Sequence, residues 1–319
     1  MLDLSVVILN WNTAALLEQS LDTLVGTQSA REYEIVVVDN NSTDNSREMV
    51  VEKFPSVRLI ANPTNLGFGA GNNVAVSQTS GRWILFLNSD TTVLPDALTK
   101  LVQFADSSDD IGIVGAKLLN PDGSLQYSCR QYPNIGTGFF RNTPLGRLFP
   151  KNKFAADYLM KEYDHLTPRD VDWVSGAALC IRRRLVEGIG AFDEDFFMYC
   201  EDVDLCWRAN HAPFPDDKTR NWRVAYCPDA IITHHIGKSS DLVPTRMTYE
   251  FHRSQYLFYK KHYAATMPFY LRPLVPVGIA LRASGQVLRY RYRHYRNKFL
   301  GRWTPKPGRY DQKGKSSGS

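Results

Sequence analysis

A chain of 319 residues, 43% hydrophobic and 22% charged, has the composition of a globular protein with one large or two modest domains. Its five cysteines (Cys129, Cys180, Cys200, Cys206 and Cys227) include no Cys-x-x-Cys pair, which argues against a disulfide framework or a structural zinc site and points to a reducing compartment. The net charge of +5 hides an acidic body, 22 Lys+Arg against 31 Asp+Glu over residues 1–244, and a basic tail, 16 against 2 over residues 245–319.

Leu4 to Leu9 is a continuous apolar run rich in β-branched residues, the pattern of a strand buried on both faces. No basic region precedes it and it stops at Asn10, so it is not read as a signal peptide. Asn10-Trp11-Asn12 follows as a loop and Ala14 to Val25 as a helix. Tyr33 to Val38 is a second buried strand ending in Asp39-Asn40-Asn41-Ser42, and Thr43 and Asp44 suit the cap of the next helix. Val57 to Ala61 is a third strand. Asn65-Leu66-Gly67-Phe68-Gly69-Ala70-Gly71-Asn72-Asn73 then leads into a helix through Gln78. Trp83 to Leu87 is the fourth strand, and it ends abruptly in Asn88-Ser89-Asp90. Pro95 suits the first position of a helix that ends near Asp106. Ile111 to Lys117 is a strand, followed by the turn Asn120-Pro121-Asp122-Gly123. Residues 131–168 lack periodicity and read as a variable loop over the site. Asp172 to Ala178 runs into the apolar Leu179-Cys180-Ile181. Acidic residues then gather between Phe197 and Arg208, where Asp204 and Arg208 have the spacing of an i,i+4 ion pair. A strand from Trp222 to Cys227 leads through Pro228 to His234-His235-Ile236-Gly237. Strands alternating with helices predict an α/β fold with a doubly wound, mostly parallel sheet flanked by helices.

In such a sheet ligands bind at the carboxyl ends of the strands. Polar clusters follow strand ends or open helices at Asn10, Asp39, Asp90 and Glu201-Asp202, with His234 or His235 as a fifth. Turn formation or helix capping would also account for each cluster taken singly. The Gly67-Gly69-Gly71 loop is like a phosphate cradle, but Asn72 stands where a dinucleotide fingerprint has its third glycine. A tight strand-to-helix turn serves as well.

The order Val6-Val7-Ile8-Leu9-Asn10-Trp11-Asn12, Val36-Val37-Val38-Asp39-Asn40-Asn41-Ser42, Asn65-Leu66-Gly67-Phe68-Gly69, Leu87-Asn88-Ser89-Asp90 and Glu201-Asp202-Val203-Asp204-Leu205 resembles the inverting glycosyltransferases of family 2. More narrowly it is similar to the bacterial rhamnosyltransferase branch that builds O-antigen and other cell-wall glycans. The resemblance covers residues 4–240. It implies a GT-A fold over 1–244, with a nucleotide-sugar-binding half at 1–118 and an acceptor-binding half at 119–244. It also implies that Asp39 meets the nucleotide base with Asn10 and Asn12 nearby, and that Asn41, Asn65, Gly67, Asn88 and Ser89 belong to the same nucleotide-sugar site. Asp90 becomes the carboxylate whose metal reaches the diphosphate. Asn88 stands where the usual Asp-x-Asp has its first Asp, offering an oxygen without the charge. Oxygen ligands and phosphates suit Mg²⁺ or Mn²⁺, and a histidine, here His234 or His235, adds a nitrogen ligand in some relatives. Inverting displacement needs one base to take the acceptor hydroxyl's proton. The resemblance gives that role to Asp202 with Glu201 in reserve, and an ordinary carboxylate is already ionised at pH 7. Trp173, Ser175 and Gly176 resemble the acceptor-side segment.

From Tyr249 onward the chain is aromatic and basic. The run Met267 to Ala283, apolar except for Arg272 and Arg282, is broken by Pro268, Pro273 and Pro276 and is too short to span a bilayer. Arg289 to Arg296 alternates basic and aromatic residues, as expected of a membrane-surface segment within residues 245–311. Residues 312–319 are expected to be disordered. The expected protein is a metal-dependent inverting glycosyltransferase, cytoplasmic and peripheral on the inner face of the plasma membrane. It would move L-rhamnose from dTDP-rhamnose to a lipid-linked or cell-wall glycan acceptor, with UDP-hexose or UDP-galactofuranose as alternative donors. A nucleotidylyltransferase is disfavoured because Asn10-Trp11-Asn12 replaces a glycine- and basic-rich signature after the first strand. A basic-tailed nucleic-acid-binding protein, with tyrosines stacked on bases, is the non-enzyme reading.

Overall fold

The computed structural model describes residues 2–26, 33–134, 137, 148–149, 152–235 and 244–299. The chain divides between Ile236 and Gly237 into two compact units.

The first unit is built on one large sheet. Strands β1 (Leu4–Asn10), β2 (Tyr33–Asp39), β3 (Arg58–Ala61) and β4 (Trp83–Asn88) pair in parallel in the order β3-β2-β1-β4. Val6, Val7, Ile8 and Leu85 are wholly buried, because helices cover both faces of a parallel sheet. Between these strands run α1 (Ala14–Gly26), α2 (Ser46–Lys53) and α3 (Phe68–Val76). The N-cap of α2 is Asn45 rather than the expected Thr43 or Asp44; Asp44 accepts the Ser46 N–H and Thr43 donates its N–H to Asn12. The helix expected to open at Pro95 is α4 (Ala97–Ala105). It starts later because Asp96, at φ 63°, makes a left-handed turn after the proline.

Beyond β4 the sheet continues β11-β6-β14-β5, with β5 (Thr91–Val93), β6 (Ile111–Leu119), β11 (Ala178–Arg182) and β14 (Arg223–His234). β11 runs antiparallel between β4 and β6, so its first residue, Ala178, lies beside Leu87 at the carboxyl end of β4. β14 is parallel to β6 and carries His234 to that same edge. The expected strand Trp222–Cys227 is thus only the first part of β14. Its pairing is interrupted between Cys227 and Ile231, where Pro228 has no N–H to give a ladder, and then resumes. Two-residue strands β7 (Leu125–Gln126), β8 (Cys129–Arg130), β9 (Arg169–Asp170) and β10 (Trp173–Val174) border this half, with β8 paired to β10. A short helix, α5 (Lys153–Tyr158), interrupts the stretch expected to be loop, capped by the Asn152 side chain on Ala155 N–H. The remaining elements are α6 (Arg183–Ile189), α7 (Glu201–Asn210), β12 (Pro213–Phe214) and β13 (Asp217–Asn221). All five cysteines are free.

The second unit is a helix pair, α8 (Pro244–His262) and α9 (Leu274–Phe299). The connection is tied by Arg272, whose guanidinium donates to the Met267 and Ala265 carbonyls, and by the Tyr259 hydroxyl, which reaches Met267 Sδ and the Arg272 carbonyl. Pro276 does not break the helix but sits in the first turn of α9, where its missing N–H has no intrahelical partner to lose. Among the described residues no helix is long and apolar enough to cross a membrane. Residues 312–319, expected to be disordered, lie outside the described residues.

Candidate functional site

Register brings the polar strand ends together. Asn10 pairs with Asp39 across β1 and β2, and Leu9 pairs with Asn88 across β1 and β4. Asp39 is 1% exposed and receives Asn10 Nδ2 at 3.2 Å, the Ser42 N–H at 3.0 Å and Arg47 Nε. Burial alone would raise its pKa, but the hydrogen bonds from Ser42, Arg47 and Asn10 outweigh it and hold the carboxyl below its ordinary range. Asn10 Oδ1 accepts from Thr13 Oγ1, which contacts Ser89 Oγ at 2.9 Å, so β1, β2 and β4 are joined by one polar network.

Asn12 and Asn41, at φ 57° and 65°, occupy left-handed turns that asparagine tolerates, and Asn12 Oδ1 ties the two loops through the Thr43 N–H. Asn40 is buried and organises the glycine loop. Its Nδ2 donates to Asn65 Oδ1 and the Gly67 carbonyl, and its Oδ1 accepts from Asn62 and the Leu66 N–H. The close approach at Gly67 is to protein. At φ 86° a Cβ there would lie 2.3 Å from the Phe197 carbonyl oxygen, which instead accepts the Phe68 N–H at 2.7 Å. The loop therefore seats the segment that leads into α7.

That segment is strained. Tyr199 and Cys200 have φ of 72° and 67°, left-handed values that cost non-glycine residues about 1–3 kcal/mol and gather at functional sites. The turn starts α7 with Glu201, Asp202 and Asp204 in the first turn, where the helix dipole favours negative charge. Asp204 is wholly buried and pairs with Arg208 at 2.8 Å. Asp202 accepts the Gly176 N–H on Oδ2 at 2.9 Å and the Val203 N–H on Oδ1 at 2.8 Å. Glu201 is buried and, among the described residues, its Oε2 has no hydrogen-bond partner. Burial raises both carboxyls, and the Asp202 charge pushes Glu201 further, well above its ordinary value. The N–H groups of Gly176 and Val203 and the charge of Arg130 act the other way on Asp202. Of the two, Glu201 is thus pushed the more strongly toward its protonated form. The depth at which α7 starts is what raises both.

In the segment expected to face the acceptor, Trp173 is buried, donates Nε1–H to the Gln131 carbonyl, and carries the Arg130 guanidinium 4.9 Å from its ring centre. The Ser175 N–H donates to the Ser128 carbonyl. A Cβ at Gly176 would come 3.3 Å from Phe68 Cε1 and 3.4 Å from Asp202 Cβ, so the chain runs in contact with the start of α7. At the end of β4, His234 Nε2 lies 3.2 Å from Asp90 Oδ1 and 3.2 Å from Asn88 Nδ2. Of the two histidines it is His234 whose ring meets Asp90; His235 gives its main-chain N–H to the Asp90 carbonyl, and its buried Nε2 has no partner among the described residues. Among the described residues no three His, Cys, Asp or Glu side chains form a metal cage of their own.

The description "Glycosyl transferase family 2" matches residues 5–164. The chain belongs to that family. Over 291 residues it is 29% identical to the N-acetylglucosaminyl-diphospho-decaprenol L-rhamnosyltransferase of Mycobacterium tuberculosis, covering 88% of this chain and 91% of the relative. It is 27% identical to the rhamnosyltransferase WbbL of Escherichia coli over 56% of this chain and 67% of that one. A mannosyltransferase from Pyrobaculum calidifontis, solved in complex with GDP-Man and Mn2+, shares the fold at a TM-score of 0.51 and 16% identity, over 96% of this chain and 84% of that one. The family 2 chain is a glycosyltransferase, and its mixed, mostly parallel sheet is the GT-A fold its motifs imply. Sequence reasoning passed over Thr13, Asn40, Arg47, Gln126, Arg130 and Phe197. Asn40 stood inside a quoted motif and Phe197 opened the acidic stretch, while the others lie in stretches with no motif to draw attention to them.

Proposed function

We propose that the protein is an inverting rhamnosyltransferase that moves L-rhamnose from dTDP-rhamnose to a lipid-linked glycan at the inner face of the plasma membrane. One observation carries the reading. The Glu201–Asp202 pair, anchored through Gly176 just before β11, and the Asn88–Asp90–His234 cluster stand at the same carboxyl edge of one sheet. In this reading Asp202 takes the proton of the acceptor hydroxyl as it attacks the sugar's anomeric carbon, while the nucleoside diphosphate leaves from the opposite face. Asp39, Asn10 and the Asn12–Ser42 turns form the base-binding wall, and Trp173, Ser175 and Gly176 line the acceptor side. The names of the M. tuberculosis and E. coli relatives support rhamnose.

Asp90 and His234 converge on one point with Asn88 beside it, a small nitrogen- and oxygen-donor set that suits a divalent ion completed by substrate phosphates. When bound, Mg²⁺ or Mn²⁺ would supply charge neutralisation at the departing diphosphate. Support for a membrane surface comes from α9. Leu274, Val277, Leu281, Leu288 and Tyr292 are all exposed. At about 100° per residue they fall within roughly a 60° stripe, flanked by Arg282, Arg289 and Arg296.

The test is calorimetric titration of dTDP and UDP, each with Mn²⁺, Mg²⁺ or EDTA, followed by transfer assays from dTDP-rhamnose. Metal-dependent binding that favours dTDP, with an inverted anomeric product, is expected. Preference for UDP keeps the chemistry and replaces the sugar; binding of neither nucleotide overturns the reading.

A further inference from the structure

The end of β7 carries a side chain that none of the assigned roles uses. Gln126 Oε1 lies 2.6 Å from His234 Nδ1, on the side of the imidazole away from Asp90. The orientation of this amide follows from its other contacts. Gln126 Nε2 reaches Asn120 Oδ1 at 3.0 Å and the main-chain carbonyl of His234 at 3.3 Å. A main-chain carbonyl can only accept, so the amide nitrogen belongs on that side. Asn120 is turned the same way, because its Nδ2 donates to Ser124 Oγ at 2.9 Å and faces the Leu125 carbonyl at 3.5 Å. The oxygen of Gln126 is therefore the atom that faces the ring.

An amide oxygen has no proton to give, so the hydrogen between the two groups is on His234 Nδ1. A neutral imidazole has one N–H. Its Nε2 then presents a lone pair, at 3.2 Å, to Asp90 Oδ1 and to the Asn88 amide that can donate to it. Two acceptors, a ring lone pair and a carboxylate oxygen, face one another there with no proton of their own between them. A cation suits that arrangement. The opposite tautomer would aim an N–H at Asp90 and close the point to a metal.

We propose that Gln126 is a positioning residue that fixes His234 in the Nδ1–H tautomer and so keeps Nε2 open as a metal ligand for the donor diphosphate. This rests on the reading of Asp90 and His234 as the metal site. Metal-ligating histidines are generally oriented by such a partner on the second nitrogen, and losing the partner typically weakens metal affinity about 10–100-fold. Sequence pattern gives no hint of the role. Gln126 belongs to a two-residue strand whose place is set by its pairing with Leu118, at the end of β6.

The experiment uses the full chain, folded by thermal melting, in wild-type form and as Gln126→Met, Gln126→Glu and His234→Ala. Long-range ¹⁵N–¹H spectra of histidine-labelled, metal-free protein report the tautomer, with the His234 signals assigned by their loss in His234→Ala. Calorimetry of dTDP with and without Mn²⁺ reports the metal. The wild type is expected to show the Nδ1–H tautomer. Gln126→Met should lose that preference and weaken Mn²⁺-dependent dTDP binding about tenfold, leaving binding in EDTA unchanged. Gln126→Glu keeps an acceptor at Nδ1 but removes both donations by Nε2, so it should keep the tautomer and most of the affinity. If Gln126 merely braces the hairpin, the Glu variant will behave like the Met variant. That result, or a wild-type Nε2–H tautomer, overturns the inference while His234→Ala still weakens binding. If His234→Ala leaves metal-dependent binding intact, the metal site itself is wrongly assigned and the inference goes with it.

Discussion

Asp39 and Glu201 are both buried carboxylic acids of the same unit, yet Asp39 receives hydrogen bonds from Asn10, Ser42 and Arg47, whereas Glu201 Oε2 receives none. Their backbones differ in the same sense. Asp39 ends a regular parallel strand, while Glu201 follows two left-handed non-glycine residues. A fully satisfied carboxylate is fixed in charge and position and suits binding. An under-satisfied pair next to a strained turn stores free energy that proton transfer can use, since burial without partners makes the ionised form costly. In the proposed function one side of the edge holds and the other reacts.

The comparison breaks most visibly at Asp202. Asp202→Asn keeps the shape and an oxygen for the Gly176 N–H but cannot take a proton, so kcat should fall about 10²–10⁴-fold with dTDP affinity unchanged. Retained turnover, or lost nucleotide binding in a folded variant, would move Asp202 off the reacting side. Next in size is Asp90→Ala. It should weaken dTDP binding in Mn²⁺ by at least about tenfold and leave binding in EDTA alone, because a metal ligand matters no less than its supporting partners. Equal loss in both buffers would make Asp90 a structural residue. Asp39→Asn should destabilise the fold at neutral pH by about 1.5–3 kcal/mol in urea unfolding, the usual worth of hydrogen bonds to a charged group. A neutral result would remove the claim that this wall is held by the Asp39 charge.

The same division runs through what the sequence made legible. Apolar runs such as Leu4–Leu9 and Trp83–Leu87 could be read directly, because strands buried on both faces leave a continuous pattern. The polar residues that end them could be read too, since their position after a buried strand identifies the carboxyl edge. The antiparallel insertion of β11 between β4 and β6 could not, because pairing direction is not written in local composition. The acid pair was found, but not its altered proton affinity, which comes from burial against residues far away in sequence. Gly67 shows the same limit. The glycine was conspicuous, while the partner that requires it, Phe197, lies well downstream.

The smallest expected effect separates the two sides by sign. Asp39 has its pKa lowered by folding, so its contribution to stability is present above the ordinary aspartate value of 3.8 and is lost as pH falls through the folded value. Glu201 has its pKa raised, so its contribution is present below the ordinary glutamate value of 4.5 and is lost as pH rises toward and through the folded value. Glu201→Gln removes that loss without removing a hydrogen-bond partner from Oε2. Its melting temperature relative to wild type should therefore climb as pH rises from about 4.5, by roughly 2–4 °C for each kcal/mol relieved. Asp39→Asn should run the other way, falling further behind wild type as pH rises through the acid range. The Gln variant should also keep most of its transfer activity, because glutamine mimics the protonated form toward which burial pushes Glu201. Parallel pH slopes for the two variants would mean that the acid pair is satisfied in solution. Opposite slopes with retained Glu201→Gln turnover would assign the reactive charge to Asp202 alone.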